Sequence, residues 1–312
     1  MKKGYKKNKI VILIIILLSL SLYACGTKKE QNNQEGKEQI PSNPQKQEQG
    51  TTPAGDNATG KNQGNETEVT ISEQVLYDEG GLKITATSLA MNEFLGPEIK
   101  VMIENNTTKD LTVQAREVSI NDLMIEPTFS SDVAVGKKAN DSISFFKEDL
   151  ERNGIDKIAK IELRLNIFTT ETFDTIAVTE PIIINTSAKD TYVQTYDDSG
   201  NVIYEKDGIR IVDKGLNTDA FFGPEIRVYI ENNTAKTVTV QVQNVSVNGF
   251  MVEPIFSSDI APGKKTNDGI TFIDLEENGI EKIEDVELSF MIFDTKTLDT
   301  MAESDPIKLK YK

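Results

Sequence analysis

The sequence predicts an all-β protein: two tandem antiparallel β-sandwiches after a signal peptide and a disordered linker. Three observations predict this fold. The segment GPEIKVMIENNT at 96–107 returns as GPEIRVYIENNT at 223–234. Apolar residues recur at every second position, the period of a strand with one buried face. Turn-forming residues interrupt these runs at short intervals, and seven to nine short strands with such spacing are typical of a sandwich.

The first 25 residues have the three parts of a secretory signal peptide. Five lysines occur among positions 1–9, an apolar run occupies 10–18, and a small-residue exit ends at Cys25. The apolar core at 10–24 is shorter than the roughly 20 residues that a membrane-spanning helix needs. Cys25 is the only cysteine, which excludes an internal disulfide. The sequence therefore predicts that the rest of the chain is exported.

Residues Leu22, Ala24 and Cys25 resemble the lipobox of bacterial lipoproteins, in which the cysteine receives a diacylglycerol group and cleavage occurs before it. Tyr23 departs from this box, where a small or β-branched residue is usual. The resemblance implies lipid attachment at Cys25 and a location on the extracytoplasmic face of the cell membrane. Two acyl chains, at about 0.8 kcal/mol per buried methylene, suffice for stable anchoring. The alternative is an uncleaved anchor with an incidental cysteine.

Residues 26–70 contain almost nothing apolar and are rich in Gln, Asn, Lys, Glu, Gly, Pro and Thr. Such a segment cannot bury enough surface to offset the entropy lost on ordering. We expect a disordered linker with an r.m.s. span of about 35 to 40 Å.

The charge of the chain restricts its partners. The formal net charge is −16, to which residues 1–25 contribute +5 and residues 26–70 contribute −2, leaving −19 for the remainder. Nucleic-acid binding needs clustered Lys and Arg, whereas the lysines here are scattered or lie in short turns, so nucleic acid is excluded. An anionic leaflet is repelled, so membrane contact should come from the lipid alone. We expect a monomer whose partner, if it has one, is another envelope protein.

The remainder divides into residues 71–187, here called module 1, and residues 188–312, called module 2. Positions 94–145 and 221–272 share 33 identical residues of 52, at an offset of 127. This identity indicates an internal duplication. Each module has the size of an independent domain with its own core.

Local patterns predict the elements of each module. Apolar and polar residues alternate at 99–103, 226–230 and 161–167, which predicts strands buried on one face. Asp-Gly at 207–208 is typical of a tight hairpin, because it allows positive φ angles. The only helical signal is one or two turns at 148–154, ended by Asn-Gly.

The modules resemble uncharacterised immunoglobulin-like extracellular domains found behind lipoboxes in Gram-positive bacteria. The resemblance rests on EIKVMIENNTTKDLTVQ with VSINDLMIEP, and on EIRVYIENNTAKTVTVQ with VSVNGFMVEP. It covers most of each module and implies an immunoglobulin-like sandwich, but it implies no activity. The intersheet cysteines and core tryptophan of antibody domains are absent from the sequence.

The composition argues against an enzyme and against a cofactor. The chain has no histidine, and Cys25 is assigned to the lipid, which excludes histidine-based triads and the usual zinc, copper and haem ligands. The only catalytic arrangement that the composition leaves for an enzyme is a pair of carboxylates, as in glycosidases. Four acidic residues recur in the second copy, but recurrence after duplication shows only common origin. They are Glu98, Glu126, Asp132 and Asp141, with Glu225, Glu253, Asp259 and Asp268.

Calcium binding is the one metal chemistry that the sequence leaves open, because calcium takes carboxylate and carbonyl oxygens from loops. The candidate segments are 130–132 with 140–141, and 257–259 with 267–268. Their spacing is equally that of Asx and Ser turns that satisfy backbone amides. We favour turns and assign no metal ligand.

Two apolar residues precede a Gly-Pro turn in each module, outside the alternating pattern: Phe94 and Leu95, then Phe221 and Phe222. We call these pairs the apolar tips. If exposed, they form a repeated partner-contact site with aromatic anchors. If the loop folds back, they cap the end of the core instead. The pattern favours the cap.

Together these features favour a membrane-anchored extracytoplasmic lipoprotein that acts as a non-catalytic interaction or envelope-accessory module. The alternative is an envelope sensor that binds a small ligand or calcium.

Overall fold

The computed structural model describes residues 68–273 and 275–311, and in it both modules are antiparallel β-sandwiches. The predicted all-β fold of two antiparallel β-sandwiches is confirmed. The predicted signal peptide, Cys25 and the predicted linker up to residue 67 lie outside the described residues. Within the described ranges, no helix has the length and apolarity needed to cross a bilayer.

Module 1 is built from eleven strands and one short helix. They are β1 (Gln74–Glu79), β2 (Leu82–Asn92), β3 (Gly96–Asn105), β4 (Leu111–Ile120), β5 (Leu123–Met124), β6 (Pro127–Thr128), β7 (Ser130–Val133), β8 (Lys137–Phe145), α1 (Lys147–Arg152), β9 (Lys160–Thr169), β10 (Thr175–Val178) and β11 (Ile182–Asn185). One sheet has the order β1-β2-β3-β8-β6. The other has the order β10-β9-β4-β5, with β11 paired to β9 and β7 paired to β4.

Module 2 repeats this plan with small losses. Its elements are β12 (Asn201–Lys206), β13 (Ile209–Asn217), β14 (Glu225–Asn232), β15 (Val238–Val247), β16 (Phe250–Met251), β17 (Ser257–Ile260), β18 (Lys265–Thr271), a 3₁₀ turn (Leu275–Asn278), β19 (Asp285–Asp294), β20 (Thr300–Glu303) and β21 (Ile307–Lys310). One sheet of module 2 has the order β12-β13-β14-β18. The other has the order β16-β15-β19-β20, with β17 and β21 paired to β15 and β19.

The core of each module lies between its two sheets, as the alternation predicts. In module 1, Ile99, Val101 and Ile103 of β3 are buried, and they belong to the same cluster as Ile161 and Leu163 of β9. Burying one such side chain contributes about 1.5 to 3 kcal/mol. The predicted helical turns become α1, which ends where Gly154 adopts φ +61°. The second copy forms only a 3₁₀ turn there.

The repeated Asn-Asn-Thr segment has a structural role. Asn105 is fully buried at the end of β3, and its Nδ2 donates hydrogen bonds to the carbonyl oxygens of Lys109 and Val133, both at 2.8 Å. Its Oδ1 accepts from the backbone N–H of Thr107 at 3.0 Å. A buried amide with all these partners fixes the turn and links it to the opposite sheet.

Asn232 makes the same three bonds in module 2, to Lys236, Ile260 and Thr234. The strongest identity between the copies is therefore explained by folding.

The modules belong to one compact unit, residues 63–312, and a buried lysine joins them. Lys264 Nζ of module 2 lies 2.7 Å from Asp122 Oδ1 and 2.7 Å from Glu162 Oε2 of module 1. Only 7% of Lys264 is exposed. Beside it, Leu123 of β5 pairs in parallel with Lys265 of β18, whose N–H donates to the Asp122 carbonyl at 3.0 Å. Two module sheets thus become continuous.

Three further contacts tighten this joint. Asn153 Oδ1 accepts from the N–H of Asn267 at 3.0 Å. The Tyr196 hydroxyl, on the segment that connects the modules, donates to the Asn121 carbonyl at 3.0 Å. Lys265 Nζ lies 4.6 Å from the centre of the Tyr196 ring, a cation–π distance.

Candidate functional site

The apolar tips are exposed, so the capping interpretation is wrong. Phe94 is 93% exposed and Phe221 is 94% exposed, and Leu95 and Phe222 are exposed as well. The rings of Phe221 and Phe222 pack edge to face, with centroids 4.9 Å apart. Whether the tips contact a partner stays a prediction, but their exposure leaves them available for contact.

Local geometry holds the tips away from the core. In module 1, Asn92 Oδ1 accepts from the N–H groups of Phe94 and Leu95 at 3.0 and 3.1 Å, which forms an Asx turn. Gly96 follows with φ +112°, and a Cβ there would lie 2.6 Å from the Phe145 carbonyl oxygen. The chain behind the tip is therefore packed against the next strand, and the tip residues cannot turn inward.

Module 2 uses the same anchor. Gly223 has φ +126°, and a Cβ there would lie 2.5 Å from the Phe272 carbonyl oxygen. Phe272 in turn donates its N–H to the Pro224 carbonyl at 2.8 Å. Each tip is therefore followed by a glycine that no other residue can replace without displacing the backbone.

A groove of about 1110 Å³ runs beside the module 2 tip. Phe222, Pro224 and Leu275 form part of its apolar wall, and Glu276 and Glu281 are among its charged residues. The groove places an exposed aromatic side chain next to apolar surface with an acidic border. Such an arrangement can receive an apolar side chain flanked by cationic groups.

A second cavity, of about 620 Å³, lies between the modules; we call it the inter-module cleft. Both modules contribute charged and polar residues to it. Module 1 supplies Arg116, Glu117, Glu126, Asp149, Arg152 and Arg164, and module 2 supplies Ser257, Ser258, Asp259, Thr266, Asn267 and Asp268.

Three carboxyl groups of the cleft, those of Glu126, Asp149 and Asp268, have a pKa above the usual value. Burial raises the pKa of Asp268, although the Gly269 N–H, at 2.7 Å, and the Ser258 hydroxyl favour its charged form. Burial likewise raises the pKa of Asp149, with Arg152 opposing the shift. Glu126 faces the cleft solvent, yet the protein around it removes enough water to raise its pKa, with Arg116 opposing.

The arginines that line the cleft occur in module 1 and not at the equivalent positions of module 2. All three arginines of module 1, Arg116, Arg152 and Arg164, line it. The equivalent positions of module 2 hold Gln243, Glu277 and Ser289. This difference between the copies is the sequence signal for the cleft, and the residues that the copies share do not reveal it.

The calcium candidates come together only in part. Ser258 hydrogen-bonds to Asp268, which brings the two module 2 segments into one cleft. Asp259 Oδ1, however, accepts from the Thr239 hydroxyl at 2.6 Å, and Asp132 Oδ1 accepts from the Thr112 hydroxyl at 2.6 Å. Over residues 68–273 and 275–311, no group of three or more acidic, histidine or cysteine side chains is arranged to hold a metal ion.

No protein-family model and no curated protein sequence matches this chain. Solved structures that are similar include the pre-assembly complex of the chaperone CsuC with the tip adhesion subunit CsuE, from archaic chaperone-usher Csu pili of Acinetobacter baumannii. The match has 13% identity and a TM-score of 0.20, and it covers 70% of this chain and 92% of that one. At this TM-score the likeness carries no argument about function or partners.

Proposed function

We propose that the protein is a non-catalytic interaction module of the cell envelope, held at the extracytoplasmic face of the membrane by a lipid on Cys25. The observation that carries the proposal is the pair of apolar tips, which expose Phe94 in one module and Phe221 and Phe222 in the other. Phe221 and Phe222 are in contact and both exposed, so they form a contiguous apolar patch, and such patches on a soluble surface often mark sites of contact with another protein.

The energetics of such tips suit a repeated weak contact. Aromatic anchors carry most of the binding free energy in many interfaces, because they bury a large area with few rotatable bonds. Two tips on one chain raise the overall affinity of a partner with two receptive places, since the second contact is intramolecular.

The state of the cleft carboxyl groups supports a non-catalytic role. Asp259 is engaged by Thr239, and Asp268 by Gly269 and Ser258. Glu117 accepts from Arg164 Nε at 3.0 Å. Each of these contacts lies within one module, so these carboxylates already have structural partners there.

Crosslinking capture on intact producing cells tests the proposal. The native protein is compared with a variant that carries Phe94→Ser, Phe221→Ser and Phe222→Ser. The matched control is Phe173→Ser, because Phe173 is a further exposed aromatic residue, at 68%, on the hairpin between β9 and β10. We expect one discrete partner with the native protein and with the control, and its loss with the triple variant at an unchanged melting temperature. Equal recovery with all three proteins would contradict the proposal.

The inter-module cleft favours a second candidate, an envelope sensor of a small anionic ligand. Three arginines specific to module 1 line a cavity large enough for such a ligand. Thermal melts with inorganic phosphate, citrate or calcium chloride test it. A rise in melting temperature with an anion, abolished by Arg116→Gln with Arg164→Ser, supports an anion sensor. A rise with calcium that a chelator reverses supports calcium binding instead, and no rise with any of them removes the candidate.

A further inference from the structure

The joint between the modules was built on a duplicated sequence, so each face that it buries has an equivalent elsewhere on the chain. The face of module 1 that meets module 2 we call the front face; it comprises Asp122, Leu123, Met124, Asn153 and Glu162. The face of module 2 that receives it we call the rear face; it comprises Lys264, Lys265 and Asn267.

The equivalent front face of module 2 is exposed. Leu123 is 1% exposed and belongs to the core cluster of module 1, whereas its counterpart Phe250 is 51% exposed. Met124 packs against the core cluster of module 2, whereas its counterpart Met251 is 68% exposed. Asn278 stands where Asn153 is buried, and it is exposed too. Module 2 thus carries an apolar pair that its own chain leaves uncovered.

The equivalent rear face of module 1 is exposed as well. Lys137, Lys138 and Asn140 occupy the positions of Lys264, Lys265 and Asn267, and all three are exposed. Lys138 lies opposite Glu104 in the sheet, as Lys265 lies opposite Glu231. Because N–H groups alternate sides along a strand, the N–H of Lys138 points to the outer edge, as that of Lys265 does in the joint.

We propose that a second copy of this chain docks head to tail, with the front face of module 2 in one copy against the rear face of module 1 in the next. Met251 would repeat the packing of Met124 against the neighbouring core, and Phe250 would repeat the strand pairing of Leu123. Lys137 would repeat the position of Lys264, with the Glu287 carboxylate in the place of Glu162. The proposal reaches beyond the function proposed above, because it concerns a different surface.

Two differences make this contact weaker than the internal joint. Gly249 replaces Asp122, which removes one of the two carboxylates that hold the lysine. The ring of Tyr196 comes from the segment that connects the modules, so the contact between copies lacks it. The contact between copies also lacks the covalent connection, which raises the effective concentration of the two faces in the internal joint. A contact between two different faces leaves a free face on each end, so it builds open rows, or rings where the rotation between copies closes, and not two-fold dimers.

Sedimentation of the full chain in mild detergent tests the proposal by its concentration dependence. We expect the average mass of the native chain to rise with concentration, and Phe250→Ser with Met251→Ser to weaken the association tenfold or more. Phe173→Ser, which changes an exposed aromatic residue elsewhere, should leave it unchanged. These side chains are exposed, so the variants should melt at the native temperature. A mass independent of concentration in the native chain, or equal association in all three proteins, would overturn the proposal.

A gain-of-function variant sharpens the test. Gly249 has φ +85° with no atom within 4 Å of an added Cβ, and Asp122 itself adopts φ +67°, so Gly249→Asp fits the backbone. It restores the missing carboxylate opposite Lys137. We expect about tenfold tighter association, the effect of one added charge-assisted hydrogen bond, and the loss of that gain with Lys137→Met. No gain with Gly249→Asp would count against the proposed register.

Thiol crosslinking checks the register directly. In a Cys25→Ser background, chains with Phe250→Cys are mixed with chains with Lys138→Cys, which are the counterparts of the paired residues Leu123 and Lys265. Oxidation should link the two chains. The control mixture pairs Phe250→Cys with Glu171→Cys, an exposed site on the hairpin between β9 and β10. Equal yields in the two mixtures would show random collision and overturn the proposal.

Discussion

Lys264 Nζ lies 2.7 Å from Asp122 Oδ1, and this contact ties a buried lysine of one module to an acidic turn of the other. Glu162 supplies a second carboxylate at the same distance from Nζ. Burial lowers the pKa of Lys264, but the two carboxylates more than offset it, so that its pKa lies above the usual value. The joint therefore depends on charges that keep each other ionised.

The first prediction concerns the loss of this lysine. Lys264→Met leaves Asp122 and Glu162 facing each other with no cation from module 2, so we expect a loss of about 2 kcal/mol in the free energy of unfolding, less than for a fully buried pair because both carboxylates keep some solvent. Urea denaturation measures it. Lys137→Met, the same change at the exposed equivalent, should cost less than about 0.5 kcal/mol. Equal losses in the two variants would contradict the assigned role of Lys264.

The second prediction concerns acid. Burial raises the pKa of Asp122, but hydrogen bonds from Lys160 and Lys264 outweigh it and hold the pKa below its usual value. A carboxyl group with a lowered folded-state pKa contributes stability above its unfolded pKa and loses it as the pH falls through the folded value. We expect the stability advantage of the native chain over Asp122→Asn to be full at pH 6 and to shrink below about pH 4. An advantage that stays constant down to pH 2 would exclude this linkage.

The third prediction concerns the cleft and has the opposite sign. Because burial raises the pKa of Asp268, its ionised form opposes folding at neutral pH, and acidification relieves that cost as the pH falls through the folded-state pKa towards the lower unfolded value. Asp268→Asn should therefore raise the melting temperature at pH 7, with a smaller gain near pH 4. The control is Asp141→Asn, the equivalent position outside the cleft. A lower melting temperature for Asp268→Asn at pH 7 would show that its hydrogen bonds dominate.

The fourth prediction concerns the anchor of the module 2 tip. Gly223→Ala forces a Cβ to within 2.5 Å of the Phe272 carbonyl oxygen at φ +126°. We expect a loss of about 2 to 3 kcal/mol in the free energy of unfolding. Gly263 has φ +71° with open space around it, so Gly263→Ala should cost about 1 kcal/mol. Chemical denaturation distinguishes the two, and a Gly223→Ala loss no larger than that of Gly263→Ala would mean that the backbone moves aside.

The fifth prediction concerns the repeated asparagine. Asn232→Ala leaves the buried carbonyls of Lys236 and Ile260 without their amide donor, and we expect a loss of about 2 to 4 kcal/mol. Asn233→Ala changes the exposed neighbour and should cost less than about 0.5 kcal/mol. Thermal and urea unfolding measure the stability of both variants. Similar losses in the two would show that the stabilisation comes from the turn as a whole and not from the Asn232 side chain.

Local sequence predicted what local forces decide. The alternation at Ile99, Val101 and Ile103 predicted a buried strand, because side chains alternate between the two faces of a strand. The duplication predicted two equal folds. Lys137 and Lys264, however, both follow Gly in an identical Gly-Lys-Lys segment, yet the first is exposed and the second is buried.

What separates these two lysines is distant in sequence. Lys264 meets Asp122, which is 142 positions away, and no pattern of neighbours encodes that meeting. The inter-module cleft arises from the same joint and was missed for the same reason. The prediction for the tips was wrong for another reason. Their apolar character predicted burial, whereas the Asx turn at Asn92 and the closely packed Gly96 hold Phe94 in solvent.

The buried joint at Lys264 restricts how far the two apolar tips can move relative to each other. Because the two modules share continuous hydrogen bonding at Leu123 and Lys265, the spacing between Phe94 and Phe221 does not vary as it would across a loose hinge. If the tips bind as proposed, both tips hold a target only when the distance between its two receptive places matches that span, and a target with another spacing is held by one tip.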